Sequence, residues 1–588
     1  MKSFFKYTLA SLVGVIIAGL LFFLIFFTSI SIMLSKQDKP VEINPNTVLK
    51  VRLDNIIMDR NPESPFGNFD FQSFKPQSSL GLNEILANIE KAGEDDNIEG
   101  IYLELTSIPA GMATIEEIRE ALIKFKETGK FIIAYSDNYV QTSYYLASVA
   151  DKIYVNPAGR INLTGLNSQV MFFKEALDKL GVEPQIIRHG KFKSAIEPFT
   201  RNDMSEENRT QIMEYVSDLW STMAEGIEEF RGIDNEKINE LADNLSLETA
   251  ENALEQKFVD GLKYKDEILG ELKDSSKTDK DDVDFVNLNK YNRVPEIKDY
   301  KGLATDKIAV VYAMGSVIMG EGEEGSIGSD RISRAIREAR KDSTIKAIVF
   351  RVNSGGGSAL ASEVIWRELK LASETKPVIA SLGDVAASGG YYIVAPADTI
   401  VANPNTITGS IGVFGIIPNV KELMNDKLGI YMDVAKTNKH SDIGNPFRSL
   451  TDYEKQVIKN GIEDVYDNFV GRVADGRNMT KEEVDEIGQG RVWSGIDAKN
   501  IGLVDLFGGL DKAIEIAGEK AKTEKYRVVE LPELKDPFNQ FMKQIKGGAK
   551  TKIIKNALGD EYTYYEQLEE VKNMSGIQAR IPYKIEIY

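Results

Sequence analysis

The sequence predicts an α/β protein made of two tandem copies of one domain behind a membrane anchor. Three observations predict it. Tyr144, Tyr145, Ala150, Asp151, Asn156 and Pro157 recur as Tyr391, Tyr392, Ala397, Asp398, Asn403 and Pro404, each 247 positions later. The strand-like run Ile98 to Leu105 returns at the same offset as Ile345 to Val352. Within each copy, apolar runs such as 100–105 and 131–134 alternate with helical stretches such as 115–125, the pattern of a largely parallel sheet with crossover helices. A repeat of this length is a domain, not a solenoid unit.

From the N-terminus, Lys2 and Lys6 precede a stretch without charges from Tyr7 to Ser35. A spanning helix needs about 20 apolar residues, so 7–35 is expected as a single anchor, longer than a cleaved signal segment. The flanking lysines favour a cytoplasmic 1–6 and an exported body. A polar linker leads to the first copy, 48–269. The charged stretch 270–306 is expected as a connector, the second copy spans 307–520, and 523–588 is expected as a tail with helical apolar spacing from Phe538 to Ile554.

With 588 residues the chain is long enough for several cores. Its net charge of −19 argues against nucleic acid as a partner. The absence of cysteine excludes disulfides, thiolate nucleophiles and cysteine-based metal sites. No motif calls for a cofactor or a metal.

The copies differ where chemistry would sit. A strand ending at Val352 runs into Asn353-Ser354-Gly355-Gly356-Gly357-Ser358, whose glycines free backbone N–H groups for a phosphate or an oxyanion. The loop lacks the Lys-Ser/Thr ending of a nucleotide-binding loop. The next strand leads to Ala386-Ala387-Ser388-Gly389-Gly390, a serine opening a helix. Gly389 N–H and Gly356 N–H could form a two-donor oxyanion hole beside Ser388. At the matched positions the first copy has Gln141 for Ser388 and Pro109 for Gly356, and proline has no N–H to give. A nucleophilic serine needs a base. The chain has two histidines, His189 and His440, each of which also reads as an ordinary hydrogen-bonded residue. A lysine serves only if an apolar site keeps it neutral. Lys191 and Lys193 in Gly190-Lys191-Phe192-Lys193-Ser194-Ala195 are both candidates, and spacing does not separate them.

Those motifs, together with Thr408-Gly409-Ser410-Ile411-Gly412, resemble the long, duplicated form of the signal peptide peptidase A family over about residues 1–520. The resemblance implies a ClpP/crotonase-type fold and a membrane-anchored serine peptidase at a bacterial inner membrane, acting on hydrophobic peptides. It also implies a homotetramer, Ser388 as nucleophile, Lys193 as general base and Ser410 as the hydroxyl that holds the lysine. The dyad is then split between the copies. The second copy offers only His440 or Ser441 where Lys193 should recur. The family commonly has proline where this chain has Gly355. Two other readings compete: a crotonase-like acyl-CoA enzyme, and a non-catalytic membrane scaffold.

Overall fold

Buried apolar runs set the frame of the computed structural model, which describes residues 4, 6–8, 10–21, 41–61, 69–70, 75–76, 80–295, 304–534 and 576–581. The first copy builds a parallel sheet in the order Gly261–Leu262, Lys152–Val155, Phe131–Ser136, Ile98–Glu104, Thr47–Val51, Phe285–Asn287. The second copy repeats this as Thr399–Ala402, Val378–Ala387, Ile345–Ser354, Lys307–Met314 and Arg527–Leu531, again parallel. Strands buried on both faces read as unbroken apolar runs, which is why these segments were legible.

The duplication extends to side-chain detail. Tyr145 hydroxyl donates to Glu116 in the first copy and Tyr392 to Glu363 in the second, both at 2.5 Å. Lys130 Nζ donates to the Ala92 and Asp95 carbonyl oxygens, and Lys376 to those of Ala339 and Asp342. Helices Glu206–Arg231 and Asp452–Arg477 are also counterparts.

The stretch 270–306, expected as a connector, is structured through its first half. Helix Lys265–Ser276 buries Ile268 and Leu272, one turn apart, and strand Phe285–Asn287 pairs with Thr47–Val51. The tail differs in the same way. Arg527–Leu531 is the matching edge strand of the second sheet, and Gln578–Arg580 is a further strand. Each copy therefore closes with a helix and a short edge strand, and charged neighbours hide so short a strand from a periodicity argument. The helical spacing from Phe538 to Ile554 lies outside the described residues.

Of the expected anchor 7–35, residues 10–21 are helical and the part from 22 onward lies outside the described residues. Among the described residues no helix is long and apolar enough to cross a membrane.

A third sheet joins the copies, in the order Ser326–Gly328, Ser316–Ile318, Gly356–Ser358, Gln578–Arg580, Phe414–Asn419, Glu183–Arg188. Its last pairing sets a first-copy strand antiparallel to a second-copy strand over six residue pairs, Arg188 against Phe414 to Glu183 against Asn419. That docking delivers the Lys191–Lys193 segment to the second copy.

Candidate active site

Ser388 ends strand Val378–Ala387 and opens helix Gly389–Val394, with φ 55° and ψ −117°. A non-glycine residue rarely adopts such a conformation, and it persists only where the surroundings enforce it. Here Ser388 N–H donates to the Gly409 carbonyl (2.8 Å), and the Ser388 carbonyl accepts from Tyr392 N–H (2.8 Å). The sharp turn throws Oγ off the end of the strand.

Lys193 follows the inter-copy strand and enters this turn from the first copy. Its Nζ lies 2.9 Å from Ser388 Oγ, 2.9 Å from Ser410 Oγ and 3.3 Å from the Ser410 carbonyl oxygen. Lys193, Ser388 and Ser410 are each at most 1 % exposed. Burial alone pushes the Lys193 amine well below the usual lysine range, because the charged form loses its hydration. All three contacts of Nζ are to serine atoms. Ser410 Oγ donates to the Gly490 carbonyl (3.4 Å), so it accepts from the lysine. A neutral amine has two N–H groups and one lone pair. Nζ donates to Ser388 Oγ as placed, and the Ser388 hydroxyl donates to the Gly412 carbonyl (3.5 Å). Once the amine is neutral and keeps both N–H groups on Ser410, its lone pair is left for that hydroxyl.

The lysine backbone is clamped by groups the sequence did not flag. Phe192 N–H donates to the Gln489 carbonyl (3.1 Å) and Gly490 N–H to that of Ile411 (2.7 Å). A Cβ on Gly490, whose φ is +85°, would stand 2.7 Å from Lys193 Cα. Gln211 Nε2 donates to Ser194 Oγ (2.9 Å), and its Oε1 accepts from Val492 N–H (3.1 Å). The run Gly488-Gln489-Gly490 was the available signal, two glycines in a turn with no periodicity of its own.

Lys191 is exposed, its Nζ 5.6 Å from the Phe192 ring centroid. His189 bonds Glu463 at 2.5 Å and stacks on Tyr466, and His440 bonds Glu454 at 2.9 Å. Neither histidine bonds Ser388. Gly356 and Gly389 do come together: Gly389 N lies 2.6 Å from where a Cβ on Gly356 would stand. Gly356 N–H presently donates to Ser354 Oγ (3.1 Å), so it must turn from that hydroxyl to meet an oxyanion. At the pseudo-site of the first copy, Gln141 is satisfied locally, donating to the Gly165 carbonyl and accepting from Thr164 N–H. Among the described residues no group of three or more His, Asp or Glu could hold a metal ion.

Comparison with known proteins finds relatives for both copies. Residues 124–279 and 370–524 match peptidase family S49, once in each copy. "Protease 4" of Salmonella typhi is 38 % identical over 456 residues, covering 76 % of this chain and 73 % of that protein. "Serine protease SPPA, chloroplastic" of Arabidopsis thaliana is 33 % identical over 510 residues, covering 86 % and 74 %. Among solved structures, a point mutant of ClpP1 from Listeria monocytogenes aligns with 35 % of this chain and 94 % of its own at TM-score 0.24 and 15 % identity, too loose a likeness to argue from.

Proposed function

The chain belongs to peptidase family S49 and is a serine peptidase, and from that premise we propose that it hydrolyses hydrophobic peptides, signal peptides among them, with Ser388 as nucleophile and Lys193 as base. The observation that carries the assignment is the 2.9 Å approach of a buried, uncompensated lysine amine to a serine hydroxyl. Lys193 takes the proton as Ser388 Oγ attacks the peptide carbonyl, then gives it to the departing amine. Gly356 and Gly389 N–H groups stabilise the oxyanion, and water splits the resulting ester. Ser410 acts as a positioning residue, orienting the amine through the two contacts described above.

An apolar substrate suits the surroundings. A cavity of about 940 Å³ beside the glycine loop includes Val317, Ile318, Met319 and Leu360 in its lining. Membrane anchoring belongs to the same reading. Helical residues 10–21 expose Leu12, Val15, Ile16 and Leu20, which supports membrane insertion of this segment, and Lys2 and Lys6 before it favour a body outside the cytoplasm. Association of copies into a homotetramer is part of the proposal too, supported by the exposed apolar residues Leu428, Ile430, Tyr431 and Met432.

The test is a fluorogenic hydrophobic peptide with a serine-directed acylating probe. Wild type should cleave the peptide and be acylated at Ser388, whereas Ser388→Ala should do neither. Cleavage by Ser388→Ala at the wild-type rate refutes the dyad. Folded wild-type protein with neither activity would favour a scaffold, and thioester chemistry without acylation would favour a crotonase-like enzyme.

A further inference from the structure

The strand Gln578–Arg580 lies where a substrate should lie. It runs antiparallel to the glycine loop with Gly356 opposite Arg580, Gly357 opposite Ala579 and Ser358 opposite Gln578. The ladder continues on both sides: Ile581 N–H donates to the Gly355 carbonyl (2.8 Å) and Ala359 N–H to the Ile577 carbonyl (3.2 Å). Its other edge meets Phe414, also antiparallel. Gly356–Ser358 and Phe414–Asn419 are thus neighbours only through this segment. Without it they would flank a slot one strand wide, open on both edges, beside Ser388.

The fit is close. The Ala579 carbonyl oxygen lies 2.2 Å from the place of a Cβ on Gly356 and 2.9 Å from that on Gly389, so the segment rests on the two glycines assigned to the oxyanion. A Cβ on Gly355 would stand 2.7 Å from Ile581 Cγ1, and only a residue without a side chain leaves Ile581 its place. Alternate residues point one way, as a strand requires. Ala579 is buried in the second copy's core, Ile581 packs with the first copy's, and Ile577 lies against the former. The 940 Å³ cavity runs alongside the segment, lined by Ile577, Gln578 and Arg580 together with Gly357 and Ser358 of the glycine loop.

We propose that the segment Gly576–Ile581 is a built-in pseudosubstrate that occupies the strand slot beside Ser388 and must leave before a peptide enters. An extended peptide binds such a slot by the same backbone ladder, with pockets for alternate side chains setting preference. The occupant therefore also states the substrate class: an extended strand with a small residue at the place of Ala579 and branched aliphatic residues two positions to either side. The inference rests on the peptidase reading above. Ser388 is fully buried in this arrangement, with the Ala579 carbonyl seated against Gly356 and against Gly389 next to it.

The experiment compares full-length wild type with Ala579→Trp and Ile581→Asp, substitutions outside the catalytic machinery. Apparent affinity scales with the fraction of molecules whose slot is open. A segment bound in nine molecules of ten therefore predicts that its ejection raises kcat/KM and the rate of Ser388 acylation about tenfold. The synthetic peptide Gly-Ile-Gln-Ala-Arg-Ile should inhibit both variants in competition with substrate. Wild type that cleaves peptide, with folded variants no faster and no inhibition by the hexapeptide, overturns the inference and leaves the dyad standing. Failure of peptidase activity and acylation in all three proteins overturns the dyad itself. A variant that does not fold is replaced by hydrogen exchange on wild type. Amides of 578–580 should lose protection when a peptidyl inhibitor is attached to Ser388, and unchanged protection refutes the occupancy.

Discussion

A lysine held by serines has nothing to keep its proton. Around Lys193 burial is the one cause acting on the amine, and it acts against the charged form. Peptidase activity should therefore rise with pH along a single deprotonation whose midpoint lies below the ordinary lysine value of 10.5. The sign of the stability effect follows. The unfolded chain keeps this proton up to 10.5 while the folded chain has already lost it, so folded-state stability climbs with pH between the lowered value and 10.5. Lys193→Met removes both effects. Its kcat/KM should fall on the order of 10⁴-fold, and its denaturation midpoint should equal or exceed wild type at low pH, with the gap closing as the pH rises. Lys191→Met, on the surface, should change kcat/KM by less than about threefold. A pH series of kcat/KM and of urea midpoints checks all of this, and a dead Lys191→Met beside a live Lys193→Met would reverse the assignment.

The scale of loops and strands shows which parts of the fold a sequence carries openly. Central strands such as Val378–Ala387 announce themselves by apolar runs, and the Ser388 turn by the small residues around it. The edge strands Phe285–Asn287 and Arg527–Leu531 do not, because what makes them strands is a neighbour's free edge, not their own periodicity. Spacing equally hid the choice of Lys193 over Lys191, which only the resemblance of the Lys-Ser-Ala motif supplied. Burial of one lysine is decided by a loop 297 positions away, where Gly490 lets the second copy close on the Lys193 backbone. At Gly355, where the family commonly has proline, a side chain would meet Ile581, 2.7 Å from its Cγ1. Gly490→Ala tests the loop. Its φ of +85° disfavours a side chain, and the added Cβ pushes on Lys193 Cα. The substitution should cost about 1–3 kcal/mol of stability. A shift near 1 Å at the base should lower kcat about 10²-fold with KM little changed. Full kcat in a stable Gly490→Ala protein would show that the clamp does not position the lysine.

At the scale of the whole chain, duplication has become division of labour. The first copy retains the fold with Gln141 at the position matching Ser388, yet in the proposed mechanism it contributes the Lys193 amine. The second contributes Ser388, the two glycines and the Ser410 shelf. Such a split works only if the halves are fixed to each other, and buried charge does part of the fixing. Arg351, fully buried in the second copy, donates from Nε to Asp59 and from a terminal nitrogen to Glu117 of the first, each at 2.7 Å. Asp384, four residues before the nucleophile, accepts from Thr114 N–H (2.9 Å) and hydroxyl (2.7 Å) at the start of helix Met112–Glu127. Removing one partner of a buried ion cluster leaves an uncompensated charge, which costs about 3–5 kcal/mol. These contacts tie the two copies of one chain together, so the proposed dyad is expected to close inside a single chain. Mixing Ser388→Ala with Lys193→Met protein, including a cycle of unfolding and refolding together, should therefore restore no peptidase activity, because no oligomer can supply a wild-type pair. Recovery toward a quarter or half of the wild-type rate would mean that neighbouring chains exchange the lysine segment, and that the 2.9 Å approach forms between subunits.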